Sequence, residues 1–142
     1  NYGRNCSIVR NFNAFGPRQS VEYVIPTIIH QALSQGRIEI WNSSPERDLM
    51  FVDNTLDAIL TIGAQRRGGL FNVGSGRGVR IGELARLIAE KVGVNVPVQD
   101  LGKEVTGSPS LVADVRRLRD LGWAERVPFE VGLSRTVEWY RG

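Results

Sequence analysis

The chain has 142 residues, 42% hydrophobic and 23% charged, with a formal net charge of +3, which sets one globular domain with a real core. A single cysteine (Cys6) and a single histidine (His30) exclude an intrachain disulfide and any usual zinc site, and fit a reducing, cytoplasmic setting. No apolar run approaches the ~18 residues of a membrane span, no signal peptide opens the chain, and the arginines form no basic stripe interleaved with aromatics, so neither membrane nor nucleic acid is expected as a partner.

The chain opens on Asn1-Tyr2-Gly3-Arg4 and enters an apolar run almost at once, which reads as a cut within a fold. Ser7–Val9 is short, apolar and bounded by polar residues, as a buried strand is. Gly16-Pro17-Arg18-Gln19-Ser20 is a loop. Ser20 then caps a helix to about Leu33, or the helix starts later with Pro26 in its first turn. Ile38–Trp41 alternates as a strand, and Asn42–Pro45 is a turn. Leu49–Val52 is extended, and Asp53 caps a helix through Leu56, Ile59, Leu60 and Ile62. Gly69–Val73 is a strand; Ile81–Val92 is the best-defined helix, with Ile81, Leu84, Leu87, Ile88 and Val92 on one face. Val96–Val98 is extended and 100–110 is a polar loop. A short helix from about Asp114 to Leu121 is closed by Gly122, and Phe129–Tyr140 is the last helix. Strands alternating with helices predict an α/β fold with a mostly parallel sheet under helical cover.

Val73-Gly74-Ser75-Gly76-Arg77-Gly78 follows a strand and precedes a helix, as a dinucleotide-binding turn does. The third glycine of that fingerprint would fall on Val79, and the helix starts late. A turn that reverses the chain before the Ile81 helix is the better reading.

Two segments carry groups suited to a phosphorylated ligand. Arg47 follows a turn and leads into an apolar strand; its planar guanidinium suits bidentate capture of phosphate, or a surface pair with Glu46 or Asp48. Asn13, beside Phe12 at the end of the first apolar run, can donate to a phosphate or sugar oxygen, or simply form a turn. Together, Arg10-Asn11-Phe12-Asn13 with Gly16-Pro17-Arg18, then Arg47-Asp48-Leu49-Met50-Phe51-Val52-Asp53, then Ala113-Asp114-Val115-Arg116-Arg117 with Leu121-Gly122-Trp123, resemble the C-terminal half of an extended short-chain dehydrogenase/reductase of the NAD-dependent nucleotide-sugar epimerase/dehydratase family.

That resemblance implies a Rossmann-like fold with a small substrate-binding domain. Residues 1–142 would be the substrate-binding portion plus late strands of the sheet, with the N-terminal cofactor-binding half absent. It implies that Phe12 lies near the nicotinamide of NAD or NADP, that Asn13 binds the nucleotide-sugar diphosphate or the sugar, and that Arg47 grips the diphosphate. Trp41 would border the base, and Arg18 and Lys103 would complete the substrate-binding set. Leu49 replaces the family's usual aromatic, and the turn after Trp41 is not glycine-rich. The loop before Ala113 lacks the family's further arginine, so Lys103 stands in as a point charge.

The family's Tyr-x-x-x-Lys is missing, since Tyr2, Tyr23 and Tyr140 have no lysine four residues on, and no catalytic residue is assigned. His30, in an apolar helical stretch, is expected to be packed or capping. The resemblance therefore implies an NAD(P)-dependent epimerase or 4,6-dehydratase acting through transient C4 oxidation of a nucleoside-diphosphate sugar. The intact enzyme would be a homodimer, and this chain would be inactive alone. The alternatives are a non-catalytic module that binds nucleotide or nucleotide sugar, and a structural partner domain.

Overall fold

The computed structural model describes residues 6–65, 68–93 and 95–142. In chain order the elements are β1 (Ser7–Asn11), β2 (Asn13–Phe15), α1 (Val24–Ser34), β3 (Ile38–Ile40), β4 (Glu46–Phe51), α2 (Val52–Ala64) and β5 (Gly69–Val73). They continue with β6 (Gly78–Arg80), α3 (Ile81–Val92), β7 (Val98–Asp100), β8 (Ser110–Leu111), α4 (Arg116–Arg119) and α5 (Phe129–Arg141).

The strands form three small sheets. β1 pairs in parallel with β5, Ser7 opposite Gly69 through Asn11 opposite Val73. β4 is the centre of the second sheet, with β2 and β8 parallel to it and β6 antiparallel. β3 pairs in parallel with β7, Ile38 opposite Val98. The pairing is thus mostly parallel, as alternating strands and helices predict. β2, β6 and β8 hold only two or three residues each, too few to show a period of two.

Side chains alternate across a strand, and β4 uses both faces. Leu49 and Phe51 enter one core with Ile28, Ile29, Leu84, Ile88 and Leu133. Met50 enters a second with Ala58, Ile62, Phe71, Val73 and Trp123. β4 is the seam between them.

α3 has the bounds its period predicts and ends at Gly93, whose φ of +73° lets its N–H reach the Ala89 and Glu90 carbonyls. α1 starts at Val24, not Ser20, with Pro26 in its first turn, where a missing N–H costs nothing. Ser20 Oγ instead accepts from the Glu22 N–H in a turn upstream. His30 is exposed on α1, neither packed nor capping. β7 lies two residues beyond the expected run because the pairing follows Ile38, whose N–H bonds the Pro97 carbonyl.

α2 departs most from expectation. Its N-cap is Phe51, without a side-chain bond, and Asp53 lies in the first turn, 3.7 Å from Arg135. Leu56, Ile59 and Leu60 are 56%, 40% and 73% exposed, while Asn54, Thr55, Ala58 and Ile62 are buried. Asn54 sets that rotation. Its Nδ2 donates to the Val127 carbonyl at 2.8 Å, and its Oδ1 accepts from the Arg126 and Val127 amides. This clamp turns the 54–58–62 row inward.

Candidate functional site

A cleft of about 500 Å³ opens between the start of α1, the end of β3, the start of β4 and the 104–106 loop. Asn13, Tyr23, Glu39, Trp41, Arg47 and Glu104 are among its walls. A second cleft of about 320 Å³ adjoins it, sharing Asn13, Tyr23, Val24 and Leu49, and adds Asn11, Phe12 and Gln19. Asn11 ends β1 and Asn13 opens β2, so the clefts sit at the carboxyl end of a parallel strand, where open α/β sheets take ligands.

Arg47 reaches the cleft because β4 alternates: Arg47 and Leu49 line it, while Asp48 between them points the other way. The half-buried guanidinium forms neither of the acidic pairs open to it on sequence. Its Nη1 donates to two carbonyls, Glu46 at 2.8 Å and Ser108 at 3.2 Å. A guanidinium has five N–H donors, so most of its capacity can face a ligand anion. Asn13 Nδ2 donates to the Asp48 carbonyl at 3.2 Å. Because that partner is a carbonyl, the amide orientation is fixed, and a second N–H and the side-chain oxygen remain for a ligand. The backbone thus holds the amide nitrogen, not its oxygen as a donating Asn would first suggest.

Asp48 explains the glycine-rich turn. It is fully buried. Its Oδ1 accepts from the Ser75 amide (2.8 Å) and hydroxyl (2.7 Å). Its Oδ2 accepts from the amides of Gly76 (2.9 Å) and Ala113 (3.1 Å). A buried carboxylate is tolerable only with such partners. The turn is an anion-binding nest of backbone amides, and the anion it holds is the protein's own. A Cβ on Gly74 would lie 2.7 Å from Asp48 Oδ2, so only glycine fits. Asp48 thereby ties β4, and Arg47 with it, to the 74–76 turn and the 113 segment.

Trp41 is 71% exposed, and the Lys103 ammonium lies 4.8 Å from its ring centroid, a favourable cation–π distance. The Lys103 N–H bonds the Trp41 carbonyl at 2.8 Å, and Asn42 Nδ2 donates to the Lys103 carbonyl at 2.8 Å. Asn42 Oδ1 accepts from the Ser44 amide and hydroxyl, an Asx-type turn without glycine. Hydrogen bonds from Ser43 and then from the Gly102 amide hold the Asp100 carboxyl below its ordinary value and fasten this turn to β7.

Of the residues expected in a site, Asn13, Trp41 and Arg47 line one cleft, and Phe12 lines the adjoining one with Asn13. Lys103 lies on Trp41 at the rim. Arg18 lines neither; it borders a separate hollow with Pro17 and Val52, in a left-handed conformation with φ of +66°. The adjoining cleft offers an apolar wall at Phe12 but no charged side chain. Sequence reasoning missed Glu39 and Tyr23 as cleft residues, although Glu39 stands only two residues before Trp41. It also missed Asp48 as organiser, for which the acid next to Arg47 and a distant glycine-rich turn were the signal. Among the described residues no group of three or more His, Cys, Asp or Glu could hold a metal ion, and no helix is long and apolar enough to cross a membrane.

Residues 1–74 match the family model described as NAD dependent epimerase/dehydratase family. The chain belongs to that family. It is 32% identical over 140 residues to a probable GDP-L-fucose synthase 1 of Oryza sativa subsp. japonica, covering 90% of this chain and 42% of that one. It is 33% identical to a UDP-glucose 4-epimerase of Mycolicibacterium smegmatis, covering 99% and 47%. Among solved structures, a UDP-glucose 4-epimerase with UDP-glucose from Thermotoga maritima superposes with a TM-score of 0.85 at 28% identity, covering 99% of this chain and 47% of that one. The fold is therefore the Rossmann-like α/β fold expected, and the chain spans about half the length of the curated relatives it matches.

Proposed function

We propose that this chain is the nucleotide-sugar-binding portion of an NAD(P)-dependent enzyme that epimerises, dehydrates or reduces a nucleoside-diphosphate sugar. The observation that carries this is the meeting of Asn13, Arg47 and Trp41 around one cleft, next to Phe12. Arg47 would take the diphosphate, Trp41 would stack on the base, and Asn13 would hold the sugar end against the Phe12 wall. The nicotinamide cofactor, when bound, would supply the hydride acceptor in its oxidised form for sugar oxidation, or the hydride donor in its reduced form for sugar reduction. This chain's residues bind and orient the substrate, and the general acid/base falls outside them.

The relatives' names, GDP-L-fucose synthase and UDP-glucose 4-epimerase, support the substrate class and leave the carrier base open. We assign residues 1–142 as one substrate-binding portion with late sheet strands. The uncovered side of β1–β5 would be the seat of a cofactor-binding half, and the intact enzyme would be a cytoplasmic homodimer. Calorimetry with UDP and GDP tests the site. Arg47→Ala should weaken binding by about 1.5–3 kcal/mol, the worth of a hydrogen bond to a charged group; unchanged affinity removes the phosphate role.

A further inference from the structure

We infer that the cleft takes a guanine nucleoside diphosphate, with the Glu39 carboxylate reading the edge of a base stacked on Trp41; this rests on the nucleotide-sugar reading above. Glu39 lies in β3 and Trp41 in the bend that follows the strand, two residues on. Both line the cleft. Past the end of β3 the pairing slips by one residue: Leu101 N–H bonds the Ile40 carbonyl at 2.9 Å and Lys103 N–H the Trp41 carbonyl at 2.8 Å, which holds the Lys103 segment beside Trp41. Lys103 occupies one region of the indole at 4.8 Å, while the residue stays 71% exposed, which leaves ring surface for a planar base.

The wall beside that surface is rich in acceptors. Glu22 and Glu104 line the same cleft as Glu39, and Arg47 is the one basic side chain among the lining residues. A carboxylate accepts only. Guanine presents N1–H and the N2 amino group side by side, matching two carboxylate oxygens. Uracil and thymine present N3–H between two carbonyl oxygens, which would face the carboxylate with like partial charge. Cytosine and adenine offer one amino group each. The Glu39 backbone is fixed by α1, since its amide N–H bonds Gln31 Oε1 at 3.0 Å. Its Oε1 lies 3.4 Å from Arg37 Nε in a largely exposed pair, which competes weakly with a ligand.

Calorimetric titration of the chain with GDP, UDP, CDP and ADP, repeated on Glu39→Gln, tests this. GDP should bind about tenfold or more tighter than UDP, the discrimination of one bidentate base contact. Glu39→Gln should weaken GDP about tenfold and leave UDP within about twofold. UDP, CDP or ADP binding as tightly as GDP overturns the inference on the unmodified chain alone, and so does a GDP preference that survives Glu39→Gln. Binding of none of the four overturns the nucleotide-sugar reading, and this inference with it. Binding of all four without discrimination overturns this inference and leaves the broader reading standing.

Discussion

Two regions of the molecule treat their apolar surface differently. Around β3, β4, α1, α3 and α5 a core is closed on Ile28, Ile29, Leu84, Ile88 and Leu133, each at 2% exposure or less, and the exposed apolar side chains of the helices, Leu33, Val131 and Trp139, lie on their outer faces. Around β1, β5 and α2 only one side is closed. Phe71 and Val73 pack inward, while Ile8 is 60% exposed, Leu70, its neighbour across the pair, 36%, and Leu60 of α2 73%. Parallel sheets are ordinarily covered on both faces. The first region carries the candidate cleft; the second presents exposed apolar side chains on its open side. A ligand site can thus lie beside a closed core while the neighbouring sheet is left open.

The contrast can be broken by substitution. Asp48→Ala should be the most damaging change, about 3–5 kcal/mol by thermal or denaturant unfolding, because it strands the buried amides of Ser75 and Ala113 and the part-buried amide of Gly76. A loss below about 1 kcal/mol would mean that the nest does not organise the site. Leu133→Ala, in the closed core, should cost about 2–5 kcal/mol, whereas Leu60→Ser on the open side should stay within about 0.5 kcal/mol. Equal costs would erase the distinction between the regions. Trp41 fluorescence should respond to a nucleoside diphosphate and not to a bare sugar phosphate; an equal response to both would take Trp41 out of the base site. The smallest effect concerns pH. Asp100 has a folded pKa below its ordinary 3.8, so its contribution is complete above 3.8 and is lost as pH falls through the lowered value. The 42–46 turn should loosen in that acid range, seen in amide exchange of Ser43 and Gly102, and Asp100→Asn should abolish the dependence.

The α/β class and the α3 boundaries were legible because α3 is amphipathic along its whole length and carries glycine at its C-cap. Asn13 and Arg47, which line the cleft, were marked by their place between apolar runs and loops, and Trp41 by the family resemblance alone. The orientation of α2 was not. Its apolar residues predicted a buried row, but Asn54 bonds a loop more than seventy residues downstream and turns a different row inward. The strands β6 and β8 exist only by pairing with β4 and carry no signal of their own. Asp48 looked like half of a surface ion pair; its partners lie 27 to 65 residues away, beyond the reach of local pattern.

The most direct test of the central claim, that one cleft at Asn13, Trp41 and Arg47 receives the nucleotide, is nitrogen–proton correlation spectroscopy of this 15.8 kDa chain during titration with GDP or UDP. The account predicts that saturable shifts concentrate on the Asn13 side-chain amide, the Trp41 indole N–H and the Arg47 guanidinium, with the β1–β5 face unmoved. Saturable shifts centred on Ile8, Arg10 and Leu70 instead, or no saturable shift at all, would contradict it.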